Sequence, residues 1–130
     1  MKLKLTLPIA QSVNHMYGQR RDGTRYKTDK ATNWHENAQT VAKIECLRQG
    51  WEKTTKEILI MEMRFFYNDA RRRDTNNQHK QIADALEKIV YDDDRHVLMR
   101  DMSVELKSGR HEVEITVYKE RRKKNERERE

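Results

Sequence analysis

Leu3, Leu5 and Leu7 alternate with Lys2, Lys4 and Thr6, and the alternation stops at Pro8, the only proline. A period of two with one apolar side predicts a strand, and proline, which cannot donate to a ladder, marks its end. From Gln11 to Lys30 no period is legible. Gly18, Gly23 and polar residues there predict a long loop or ragged hairpin, and a loop of that length in a compact domain is commonly functional. Between Ala31 and Arg48 the spacing of Trp34, Ala38, Val41 and Ala42 is helical, with Asp29 or Thr32 available as cap and Gly50 as stop. The period returns to two from Glu57 to Tyr67, with Leu59, Met61, Met63, Phe65 and Tyr67 on one side and Glu62 and Arg64 on the other. A second helix is predicted over about Thr75 to Val90, with Asp74 as N-cap and Ile82, Leu86 and Ile89 as its core stripe. Val97 to Leu106 and Glu112 to Tyr118 read as two further strands joined by a hairpin turn at Ser108, Gly109 and Arg110. The order strand, loop, helix, strand, helix, strand, strand predicts an α+β domain, a mixed β-sheet with two helices packed on it.

Composition narrows this picture. The chain has 130 residues, 35% apolar and 38% charged, which predicts one domain with a lean core and a polar surface. One cysteine, Cys46, cannot form an internal disulfide, which suits a reducing cytosol. The opening MKLKLTLPIA is too short and too alternating for a signal peptide, and no apolar run approaches a membrane span. The expectation is a soluble, cytoplasmic protein without a membrane partner. The net charge is +6, of which the stretch from Lys119, with seven basic and four acidic residues, carries +3. That stretch has no apolar residue, so the expected division is a folded domain over 1–118 and a charged, disordered or frayed tail over 119–130.

Candidate chemistry concentrates in RRRDTNNQHKQIADALEKIVYDDDRHV, from Arg71 to Val97. At about 100° per residue, Asn77, Lys80 and Asp84 fall opposite Ile82, Leu86 and Ile89, and Asp74 stands at the entrance of the same polar side. By itself this polarity also fits a solvated face with a Lys80–Asp84 pair. Asp92, Asp93 and Asp94 follow at the helix end, where the macrodipole disfavours negative charge. Three adjacent carboxylates there repel one another unless solvent, cations or basic residues neutralise them. Mg²⁺ takes hard oxygen ligands, commonly one or two carboxylates plus waters and a substrate phosphate. In the long loop, Tyr17, Arg20, Arg21, Arg25, Tyr26, Lys27 and Lys30 interleave aromatic and basic groups, which fits either a nucleic-acid grip or an ordinary basic surface loop. His15, His35, His79, His96 and His111 show no paired spacing for zinc. Trp34 and Trp51 are expected as core or interface anchors.

The same run resembles the central signature of the RusA family of Holliday-junction resolvases: basic residues, Asp-x-Asp-Asn, a lysine four residues after the second acid, Asp-Ala-Leu, and a later Asp-Asp before a valine. SVNHMYG, from Ser12, is similar to the family's Ser-x-Asn segment after the first strand. The resemblance implies a homodimer with two symmetric sites acting on branched DNA, with Mg²⁺ as cofactor and Mn²⁺ as possible substitute. Genes of this family are often carried by phages and prophages. It implies Asp74 and Asp94 as catalytic acids and metal ligands, Lys80 as the essential lysine, and Asp84 as the Asp-Ala-Leu acid. The second early acid falls at Asn76, which keeps an oxygen donor and loses a negative charge, a loss for which Asp93 could substitute. Arg71, Arg72 and Arg73 before the site, with Asn14, Arg20, Arg21, Arg25 and Lys27, are the implied DNA contacts. Two functional classes follow: an endonuclease cutting four-way junctions, or a catalytically weak or inactive module of the same fold that grips them without cutting.

Overall fold

A computed structural model describes residues 1–11, 17–19, 21–23, 25–71 and 73–121. Four strands form one mixed sheet: β1 (Lys2–Pro8), β4 (Leu59–Phe66), β5 (Val97–Glu105) and β6 (Glu112–Lys119), in the order β1-β6-β4-β5. β2 (Tyr17–Gln19) and β3 (Arg25–Lys27) form a separate antiparallel pair inside the long loop. Two helices, α1 (Asp29–Gln49) and α2 (Asn76–Leu86), complete the α+β domain. β6 is antiparallel to both neighbours, while β5 runs parallel to β4. A parallel pair needs a crossover connection, and α2 supplies it. Among the described residues no helix is long and apolar enough to cross a membrane.

The alternations seen in the sequence become the core. Leu3, Leu5 and Leu7, then Met61, Met63 and Phe65, then Val113, Ile115 and Val117, line one sheet face and are buried. Ala38 and Ala42 of α1 and Ile82, Ala85 and Leu86 of α2 are buried in the same cluster. Trp34 and Trp51 are core anchors, each with its indole N–H donated to a backbone carbonyl, Pro8 at 2.8 Å and Val90 at 3.0 Å.

Three expectations need correction. The cap of α1 is neither Asp29 nor Thr32: Thr28 Oγ1 accepts from the Ala31 amide, and Gly50 ends the helix in the left-handed conformation as expected. α2 stops at Leu86 rather than near Val90, because Glu87 is extended and Lys88 takes a positive φ of 71°. Val90 and Tyr91 remain buried through a turn, held by Tyr91 Oη on the Ala83 carbonyl. Finally, Ser108-Gly109-Arg110 reverses the chain without forming a hairpin, because β4 lies between β5 and β6. The connection passes over the end of β4, where the Ser108 amide and hydroxyl both donate to the Tyr67 carbonyl.

Candidate active site

α2 carries the polar run, and its two ends present different chemistry. At the N-terminal end Asp74 is not the cap residue expected, because it stands one position before the cap; its Oδ1 nonetheless accepts from the Asn76 amide at 2.9 Å, so one carboxylate oxygen serves the helix start. Thr75 is the residue at the cap position, yet its side chain makes no capping bond. Its hydroxyl donates instead to Asp101 Oδ2 on β5 at 2.5 Å, and Asp101 Oδ1 meets His79 Nε2 at 2.5 Å. Lys80 and Asp84 are exposed and form no ion pair among the described residues, so the Lys80–Asp84 pair is not made.

At the other end the three aspartates have separate fates. Asp92 is held by Lys88 Nζ at 3.1 Å and faces Lys53 at 3.9 Å, which keeps its carboxyl below the usual carboxylate range. Asp93 Oδ1 caps the short 3-10 turn Asp94–His96 by accepting from the Arg95 amide, and Oδ2 lies 3.3 Å from Arg95 Nε. The Asp94 amide donates to Glu87 Oε2 at 3.1 Å, while the Asp94 carboxylate has no bonded partner among the described residues. Carboxylate oxygens of Glu87, Asp93 and Asp94 all lie within 4.8 Å of one another. This all-oxygen donor set, with no thiol or imidazole in it, fits a hard divalent cation.

In a single copy the implied catalytic acids are not together. α2 has 11 residues, which at helical rise is about 16 Å. Asp74 and Asn76 stand at one end of it, and Asp93 and Asp94 beyond the other. The implied DNA contacts also divide. Arg73 reaches back to Asp69 with two guanidinium nitrogens, at 2.6 and 2.7 Å, and stacks over the Tyr67 ring at 4.6 Å. That pairing holds the Asp69 carboxyl far below its ordinary range. Arg73 thus organises the turn before α2, while Arg71 and Arg21 are exposed. Arg25 and Lys27 lie on β3, with side chains outside the described residues; Asn14, Arg20 and Arg72 lie outside them altogether.

The sequence reading missed several residues that build the site. Gln78, buried on α2, donates to the Ala10 carbonyl at 2.7 Å and accepts the Ala10 amide at 3.0 Å. Gln81, also buried, donates to the Gln11 carbonyl at 2.6 Å. Together they tie the entrance of the long loop to the polar helix. Two glutamines three apart beside an apolar stripe were the available signal. Glu87, Asp101 and His79 carried no signal beyond being polar near an acidic run.

An open mixed sheet, a helix whose Lys80 forms no ion pair among the described residues, and a hard-oxygen cluster beyond that helix's C-terminal end define a domain suited to cations and phosphates. The family model of the endodeoxyribonuclease RusA matches residues 7–118, and the chain belongs to that family. Its members are divalent-metal-dependent nucleases that bind branched DNA and act on Holliday junctions. No curated protein matches the chain.

Proposed function

We propose that this chain is a homodimeric endonuclease that cuts four-way DNA junctions with Mg²⁺, or Mn²⁺ in its place, at sites each assembled from two copies. The observation that carries this reading is the split of the acids between the two ends of α2. A cation with ligands at about 2.1 Å cannot touch both ends of one helix. A second copy can supply the missing half. β5 is an edge strand, and Leu98, Met102 and Val104 on it, with Leu106 just beyond it, are 43% to 49% exposed. An unpaired apolar edge is a template for another strand. Antiparallel pairing of two β5 strands about a two-fold axis sets the Val97 end of one against the Glu105 end of the other. Asp93 and Asp94 of one copy then approach the Asp74–Asn76 turn of the second, and two equivalent sites suit two symmetric cuts.

When bound, a divalent cation supplies polarisation of the phosphate and an activated water. Asp74, through the carboxylate oxygen that does not bond the Asn76 amide, Asn76 through its carbonyl oxygen, and Asp93 and Asp94 would hold it. Lys80 neutralises the charge that develops on the phosphoryl oxygens. Arg71 and the basic loop hold the neighbouring backbone, which positions the strand without reading its sequence. A second reading, junction binding without cutting, is favoured by one observation: Asn76 leaves Asp74 as the only charged acid of the Asp74–Thr75–Asn76 turn.

Mixed dimers test the arrangement. Asp74→Asn and Asp94→Asn should each fail to cut alone. After subunit exchange their mixture should nick junctions, because each heterodimer keeps one intact site. A mixture as inactive as its parts overturns the shared site. Failure of the unmodified chain to cut with either cation, with junction binding intact and cutting gained by Asn76→Asp, selects the second reading. Failure of both proteins to cut overturns the nuclease reading.

A further inference from the structure

The pairing of Thr75 and His79 with Asp101 has no place in the account above. Asp101 sits on β5 opposite Met63, on the side that faces α2. Both of its oxygens are engaged by α2, one by the Thr75 hydroxyl and one by His79 Nε2. The His79 ring is steadied in turn by Phe65, 6.3 Å between centroids and 29° between planes. A threonine at the cap of a helix ordinarily turns its oxygen to an amide two or three residues on. Here it turns away to Asp101 instead, and Asp74, one residue earlier, accepts from the Asn76 amide. The turn Asp74–Thr75–Asn76 holds one negative charge, and Asp101, bonded to its middle residue, brings a second.

We propose that Asp101 supplies the second carboxylate of the Asp74–Asn76 end of the site, held there by Thr75 and His79. This rests on the reading of that turn as a metal-holding end. Asp101 is then a positioning and charge-supplying residue, with the Thr75 hydroxyl and the His79 ring as its hydrogen-bond partners. The arrangement gives a physical reason for tolerating an amide at position 76: the charge comes from the neighbouring strand.

The test is Mn²⁺ binding to the full chain without DNA, followed by the electron-spin signal of free Mn²⁺, with melting temperatures in metal-free buffer. The proteins are the parent, Asp74→Asn, Asp101→Asn, and Asp101→Asn combined with Asn76→Asp. Asp101→Asn should weaken Mn²⁺ binding about tenfold, and adding Asn76→Asp should return it to the parent's value. A merely structural clasp predicts otherwise, because an acid at position 76 does not rebuild the bonds to Thr75 and His79. Weak binding that persists in the combined variant, or unweakened binding in Asp101→Asn, overturns the proposal while Asp74→Asn still binds poorly. Should Asp74→Asn bind as well as the parent, or the parent not bind, the metal-holding turn itself is wrong and the proposal falls with it.

Discussion

Asp74 uses one oxygen for the helix start, and the proposed function gives the other to a cation, so its substitutions should separate the two. Asparagine is itself a good cap, so Asp74→Asn should melt close to the parent and lose cutting. Asp74→Ala should lose cutting as well and cost about 1 kcal/mol of stability, measured by calorimetry in metal-free buffer. Equal melting of the two variants would show that the bond to the Asn76 amide contributes nothing. Asp69 makes the contrasting case. The Arg73 guanidinium depresses its carboxyl in the folded chain, so the pair stabilises the fold above the ordinary carboxylate range. That contribution disappears as the carboxylate protonates, below about pH 4. Between about pH 5 and pH 2 the melting temperature of the parent should fall further than that of Asp69→Asn. Parallel curves would remove the assignment. At this scale the sequence was legible where partners are near neighbours: Asp74 beside Asn76, Lys80 on the face opposite Ile82. Asp101 was not, since no period in a sequence says which strand lies against which helix start.

At the scale of elements, the four strands of the main sheet and both helices were announced by their periods, while β2, β3, the strand pairing and the helix ends were not. Leu59 to Tyr67 and Val113 to Val117 alternate because one face of each is buried. The same alternation is silent about neighbours, so Ser108-Gly109-Arg110 read as a hairpin although β4 intervenes. α2 was read too long because Ile89 and Val90 continue a helical spacing that a turn with Lys88 at positive φ satisfies equally well. The buried glutamines show what side chains add to an element. Removing Gln78 leaves the Ala10 amide and carbonyl without their partner. Gln78→Ala should therefore destabilise the fold by about 2 kcal/mol, and it should weaken junction binding by loosening the loop. Chemical denaturation measures the first effect and a gel-shift titration the second. A variant as stable as the parent would mean that water replaces both bonds without penalty.

For the whole molecule, the surface proposed for pairing is the outer edge of β5. Val104→Lys with Leu106→Lys should leave secondary structure intact, and should sediment near the 15.8 kDa of one chain rather than twice that mass. Cutting should disappear with the dimer; a dimeric variant would move the interface elsewhere. Junction affinity of the parent should fall steeply with salt, as released counterions require, and a flat response would deny the basic loop its role. The β-bulge carries a last consequence. Between Met63 and Arg64 the register of β4 shifts, so Asp101 faces Met63, Ser103 faces Arg64, and Met102 has no partner. The ladder that fastens β5 is thus interrupted one residue beyond Asp101, and among the described residues no strand pairs with its other edge. Such a segment belongs to the part of a fold that opens most readily without global unfolding. Its amides should exchange with heavy water sooner than those of β6, which is paired on both sides, and pairing of two copies should slow them. Proton exchange along nine residues would then report, with no DNA or metal present, whether the two halves of the site have met.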